Sequence, residues 1–241
     1  MAKDIGLTGN PQYFSQGLMK SSAVKEHDLG AVAVDKKGNK FRYILCGATA
    51  IVPGQLQQST ADVAHHTNIA CAVAAVLDAT ITVTLGATLA TANQYAGGYI
   101  IINDVDGQGE TYRIGSHPAA DASATLVLTL EDDVRTALTT NSQATLVANP
   151  YNGVIVHPTT STGAPVGVGL YDITAAEYGW LQTHGVISGL NDAGTAIGLG
   201  IAPSTNTAGA MMTVAATTNQ IGSAIVAGIS TEYNPILLRI D

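Results

Sequence analysis

Between Thr80 and Leu85 every second residue is aliphatic (Ile81, Val83, Leu85) and the residues between them are threonines. A side-chain period of two puts the aliphatic groups on one face of an extended strand and the threonines on the other, so one face is packed and the other wet. Thr125–Leu130 repeats the design with Leu126, Leu128 and Leu130. Short runs of this kind, closed by Gly, Pro, Asn and Asp, recur along the chain. They predict an all-β, mainly antiparallel fold of β-sandwich or barrel regions, with an extended N-terminal arm and very little helix.

Aromatic residues are scarce at 5%, so Val, Ile, Leu and Ala must fill the core. At 241 residues the chain suits one large β domain or two small ones. Only 12% of it is charged, against about 25% in a typical domain. Yet the longest apolar run, Ile69 to Leu77, is cut by Asp78 and is too short to cross a bilayer as a helix. The apolar surplus therefore points to contacts with other chains. The net charge of -8, with no cluster of Lys or Arg, argues against direct nucleic-acid binding. Cys46 and Cys71 form no recognisable metal or disulfide framework and read as small buried hydrophobes. The start of the chain has no basic segment followed by an apolar run, so it reads as made and used inside a cell, without a membrane anchor.

Four regions follow along the chain. Residues 1–28 have no clean period and read as an arm, with Tyr13, Phe14, Leu18 and Met19 as a sticky cluster. It is either a loose tail or a segment that reaches a neighbouring subunit. Residues 29–58 predict a hairpin, Leu29 to Val34 and Phe41 to Cys46 around Asp35–Asn39. Pro53-Gly54 then opens a Gln-rich connection, Gln55 to Gln58, and this part is expected to pack with the C-terminal region. Residues 59–148 read as a central β module. In it Tyr99–Ile102 and Tyr112–Ile114 flank the turn Asp104–Gly109, and Glu131–Leu138 is expected to make two helical turns.

Residues 149–241 form a C-terminal β domain with strands expected near Val154–Val156, Val166–Ile173, Tyr178–Ile187, Thr195–Ile201, Met211–Ala215, Ile221–Val226 and Ile236–Ile240. Thr174–Glu177 fits a capping box and a single helical turn. Gly alternates with aliphatic residues at Val166–Leu170 and Ile197–Ile201, which requires something packed closely against a bare strand face.

Residues that could carry chemistry are sparse. Asp104, Asp106 and Gly109 imitate the start of a calcium loop, but Gln108 stands at the fifth position and Gly115 at the twelfth, so a hairpin turn is the better reading. His65 and His66 are adjacent, point apart and read as solvated or capping residues. His117 and His157 each precede a proline and show no partner. No Gly-x-Ser-x-Gly elbow occurs, and the chain is expected to be non-enzymatic, with no catalytic residue, metal or cofactor. The densest polar and aromatic cluster is Asp172, Glu177, Tyr178, Trp180 and His184, with Tyr178, Trp180, Gln182 and His184 on one face of an extended strand. Trp180 is either an interface residue or the main core anchor. The candidate oligomer or capsid interface is thus Tyr13, Phe14, Leu18, Tyr178, Trp180 and His184.

At this cluster the chain resembles a known family. Pro165–Leu170, then Glu177-Tyr178-Gly179-Trp180-Leu181-Gln182-Thr183-His184-Gly185-Val186, and Gln220-Ile221-Gly222 look like the closing half of head structural proteins of tailed double-stranded DNA phages, in particular capsid decoration or cement proteins. The turn Asn149–Gly153 and the middle of the chain are similar in style. The resemblance implies a β-rich homotrimer on the capsid exterior, assembled in the host cytoplasm. Its partners would be the major capsid protein and copies of itself. The alternative is a receptor- or glycan-binding fibre or tail-type module, with Tyr178 and Trp180 as stacking platforms.

Overall fold

The computed structural model describes residues 16–215 and 219–241. The strands, in chain order, are β1 (Val32–Val34), β2 (Lys40–Leu45), β3 (Leu56–Gln58), β4 (Ile69–Ala70), β5 (Thr80–Thr84), β6 (Tyr99–Asp104), β7 (Thr111–Ser116) and β8 (Thr125–Leu130). They continue with β9 (Gln143–Val147), β10 (Ile155–Val156), β11 (Pro165–Gly169), β12 (Tyr178–Leu190), β13 (Gly200–Pro203), β14 (Met211–Thr213), β15 (Gly222–Ala224) and β16 (Tyr233–Arg239). All their pairings are antiparallel, and a single 3-10 turn, Ala64–His66, is the helical element among the described residues. The fold is all-β, as its alternating sequence predicts.

The strands belong to two compact units. Ala61–Asn149 is one, inserted in sequence between the halves of the other, which comprises Met1–Thr60 and Pro150–Asp241. In the inserted unit six strands run in the order β4-β9-β6-β7-β8-β5. A bridge from Cys71 to Val83 brings the last strand back toward the first, giving a nearly closed barrel. Ile81, Val83, Ile100, Ile102, Tyr112, Ile114, Leu126, Leu128, Ala144 and Leu146 point inward, and each is at most 1% exposed. The predicted helix at Glu131–Leu138 does not form. Its backbone pairs instead with residues 74–78: Val134 N–H donates to Asp78 O at 2.9 Å and Leu138 N–H to Ala74 O at 2.8 Å. Val134 and Leu138 are nonetheless buried, held by an extended edge rather than a helical stripe.

In the split unit β12 is the spine. Residues 178–184 pair with β2, residues 184–190 pair with β16, and Leu181 and Gln182 pair with β11. A bulge between Gln182 and His184 marks the change of partner. Gly185 follows it at φ +100°, where a Cβ would lie 1.9 Å from Asn39 Oδ1, so only glycine fits. The bare face of Val166–Leu170 is met from within the chain, since a Cβ on Gly169 would come 2.8 Å from Ile51 Cγ2.

Several further expectations differ from what the structure shows. Gln55–Gln58 is not a connection: Leu56, Gln57 and Gln58 form the buried strand β3 between β10 and β11. Gln58 Nε2 donates to Thr162 Oγ1 at 2.7 Å, which is how a polar side chain is accommodated there. Thr174–Glu177 is a β-turn with Ala176 at φ +59° and Glu177 N–H donating to Thr174 O, so no helical turn is capped. The strand expected at Thr195–Ile201 begins only at Gly200, because Gly198 adopts φ +81° and turns the chain.

Candidate interaction surface

The sequence cluster around Trp180 is a core. Trp180 and Tyr43 are fully buried, their ring centroids 5.0 Å apart, and Ala33 and Phe41 complete the cluster. Tyr178, half-buried, stacks on Tyr43 at 5.9 Å with planes 8° apart, and His27 stands edge-on to Tyr43 at 5.1 Å. Burial lowers the His27 pKa, with Glu26 and Asp28 opposing the shift. Trp180 is therefore the core anchor of this layer and presents no platform for a sugar.

The described part of the arm docks on this cluster in its own chain. The Tyr43 hydroxyl donates to Gln16 Oε1 at 2.6 Å, Gln16 Nε2 donates to Tyr178 O at 3.0 Å, and the Tyr171 hydroxyl donates to Lys20 O at 2.6 Å. Leu18, partly buried, packs against the same rings. Tyr13 and Phe14 lie outside the described residues. His184 lies beyond the bulge and is not joined to the aromatic layer. Its Nδ1 is 3.2 Å from Asp241 O, beside the Arg42–Asp241 ion pair.

Several other ionisable groups are bonded within the fold. His66 is fully buried, not solvated: Nδ1 meets the Tyr95 hydroxyl and Nε2 is 2.9 Å from Thr88 O. His117 has partners on both nitrogens, Nε2 accepting the Tyr95 N–H at 2.9 Å and Nδ1 lying 2.8 Å from Pro118 O. His157 is buried too, with Nε2 3.1 Å from Ser161 Oγ four residues on, a bond that ties one loop together. Burial pushes the pKa of both His117 and His157 down. In the turn that imitates a calcium loop, Asp104 Oδ1 accepts the Val105 N–H and Asp106 Oδ2 accepts the Thr139 hydroxyl. Asp192 accepts from Thr207 Oγ1, Asn206 and Ser204 at 2.6–2.9 Å, and these bonds hold its carboxyl below the usual range. Cys46 and Cys71 are buried thiols, and burial pushes the pKa of Cys71 up to about 11.

Part of the exposed surface is apolar. A groove of about 580 Å³ in the split unit is walled by Met19, Val52, Leu170, Val186 and Tyr233, and no Asp, Glu, Lys or Arg lines it. Val52, Val186, Met19 and Tyr233 are each 41–56% exposed. Elsewhere in the same unit, Ile197, Leu199, Ile225, Val226 and Ile229 stand exposed on two loops that hydrogen-bond to each other. Charge is divided very unevenly. The inserted unit has nine acids against two arginines, whereas the split unit has nine acids and eight Lys or Arg. The composition of the whole chain hides that division, and counting charge by segment reveals it. No protein family, curated relative or solved structure matches the chain.

Proposed function

We propose that this chain is a non-enzymatic structural protein of a phage virion, a capsid decoration protein that binds the outer shell as an oligomer. The observation that carries this reading is the uncharged apolar groove of Met19, Val52, Leu170, Val186 and Tyr233. Exposed apolar surface of this kind is stabilised when another protein covers it. The groove would take an extended, aliphatic segment of the major capsid protein. Burial contributes about 25 cal/mol per Å² of apolar area, repeated in every copy around the shell. The glycan-binding alternative loses its main support with Trp180 inside the core.

The first test is the copy number of this chain relative to the major shell subunit in purified particles. A ratio near one, or one trimer per threefold position, supports decoration, and a few copies per particle would favour a fibre. Heads lacking the chain should melt at higher temperature once it is added back. Val186→Asp, a charge placed in the groove, should abolish that gain while leaving the isolated protein folded. An unchanged gain would remove the groove from the interface.

A further inference from the structure

At one edge of the inserted unit, exposed aliphatic side chains stand beside unpaired acids. Leu77 N–H donates to Val134 O at 2.8 Å and Val134 N–H to Asp78 O at 2.9 Å, while Ala74 and Leu138 exchange both backbone bonds, at 3.2 and 2.8 Å. Asp78 Oδ2 also accepts the Ala75 N–H at 2.7 Å. Residues 74–78 are therefore pinned, and a pinned surface loses little further freedom when a partner covers it. Val73, Val76 and Leu77 are nonetheless 72%, 51% and 75% exposed. The pairing with residues 134–138 brings Asp132 and Asp133 alongside Asp78, and all three carboxylates are exposed. Among the described residues none of the three forms an ion pair, whereas Glu131 is held by Arg113. The neighbouring turn adds Asp104 and Asp106, the latter tied to this edge by the Thr139 hydroxyl.

The split unit carries the converse surface. In the β1–β2 hairpin Val32 lies opposite Arg42 and Val34 opposite Lys40, so these four side chains share one face, while Ala33 and Phe41 are buried on the other. Val32 is 46% exposed, and Lys36 and Lys37 stand exposed on the turn that joins the strands. Half of the Lys and Arg residues of the unit fall between Lys36 and Arg42. The acids nearby are already engaged. Asp35 is buried and accepts the Lys37 and Asn39 backbone N–H groups and the Asn39 amide, and Asp241 pairs with Arg42. Lys36, Lys37 and Lys40 form no ion pair among the described residues.

Charge complementarity at these two surfaces identifies the occupant. Each combines exposed aliphatic groups with three unpaired charges, and the charges are opposite in sign. Two copies meeting edge to edge would oppose carboxylates, and two meeting hairpin to hairpin would oppose lysines. The edge of one copy against the hairpin of another covers aliphatic groups on both sides and pairs the charges. A neutral partner would cover the aliphatic groups and use none of these charges.

We propose that copies of this chain associate head to tail, the edge formed by Val73, Val76, Leu77, Asp78, Asp132 and Asp133 of one copy resting on the β1–β2 hairpin of the next. Such a contact joins two different surfaces, so it closes into a ring or continues as a filament according to its rotation. The inference rests on the reading of the chain as an oligomeric structural protein and adds to it the contact. It uses no residue of the groove assigned to the shell.

The test is sedimentation of the purified full chain, without shell protein, across roughly 1–100 µM. The wild type should sediment as an oligomer. Asp132→Lys with Asp133→Lys, and in a separate chain Lys36→Glu with Lys37→Glu, should each raise the dissociation constant about tenfold or more, because like charges then meet. An equimolar mixture of the two variant chains should regain association, since each reversed surface again finds its opposite. Circular-dichroism melts establish that both variants are folded. Val186→Asp, in the groove, should associate like the wild type. A monomeric wild type, a folded charge variant that associates as the wild type does, a mixture as dissociated as its components, or a dissociated Val186→Asp overturns the inference. Particle binding is measured separately: a chain that associates but leaves heads unbound defeats the decoration reading alone, and one that decorates heads as a monomer defeats this inference alone.

Discussion

A buried histidine that must stay neutral makes a fold acid-sensitive, and His117 is such a residue. Its Nε2 accepts the backbone N–H of Tyr95, so that nitrogen can take up a proton only if the bond breaks. His66 faces it from the 3-10 turn, and its charge would oppose protonation further, while Asp62 acts on neighbouring Tyr95. The folded-state pKa of His117 lies below the ordinary value, so the unfolded chain binds the proton first. The stability His117 contributes is complete above the unfolded value near 6.5 and declines as pH falls below it, until the depressed folded value is passed. His157 has the same sign in the split unit. Both units should therefore melt at lower temperature at pH 5.5 than at pH 7.5, and His117→Gln should flatten the slope for the inserted unit. A melting temperature that is constant or rises across that window would show that these histidines do not govern it. Gly185 raises a different constraint at the same scale: at φ +100° beside Asn39, Gly185→Ala should cost at least about 1–3 kcal/mol in chemical denaturation.

Strands with one wet face were the elements most legible in the sequence. In β8 the period of two assigns Leu126, Leu128 and Leu130 to the core and leaves Val127 outside, and the structure keeps that alternation. Leu128→Ala should accordingly lose about 2–5 kcal/mol, while Val127→Thr should stay within about 0.5 kcal/mol, both measured by urea unfolding of the full chain. Equal losses at the two positions would contradict the assigned register. Elements whose backbone partners come from afar were not legible. Glu131–Leu138 has a helical spacing of apolar residues, but its hydrogen bonds go to residues 74–78, a pairing that no local pattern announces. Gln55–Gln58 reads as a polar connection because nothing local announces that its side chains are buried: Gln57 Nε2 donates to Gln55 O, but Gln58 Nε2 donates to Thr162 Oγ1, about a hundred residues further on. The burial of Trp180 was left open by the sequence for a related reason. An aromatic at a strand position looks the same whether it faces a partner chain or, as Trp180 does, Tyr43 of its own sheet. The exposure of Ile197 and Leu199 was hidden because Ile197–Ile201 alternates like a strand, whereas Gly198 at φ +81° turns the chain.

At the scale of the whole molecule, charge and core divide along the same line. The core of the inserted unit draws only on residues between Ile69 and Ala148, and its six-stranded sheet borrows no strand from the rest of the chain. A domain of this size buries enough apolar surface to fold alone. Residues 61–149, expressed by themselves, should give a cooperative thermal transition and dispersed amide resonances. Nine acids against two arginines also make the unit repel itself, since ion pairs such as Arg113–Glu131 neutralise only a small part of the excess. Screening shortens the reach of that repulsion to about 10 Å at 0.1 M salt and about 3 Å at 1 M. The melting temperature of the fragment should therefore rise as sodium chloride is raised through that range. A fall would mean that attractive pairs outweigh the net repulsion, and a fragment without a cooperative transition would mean that the inserted unit depends on the chain around it.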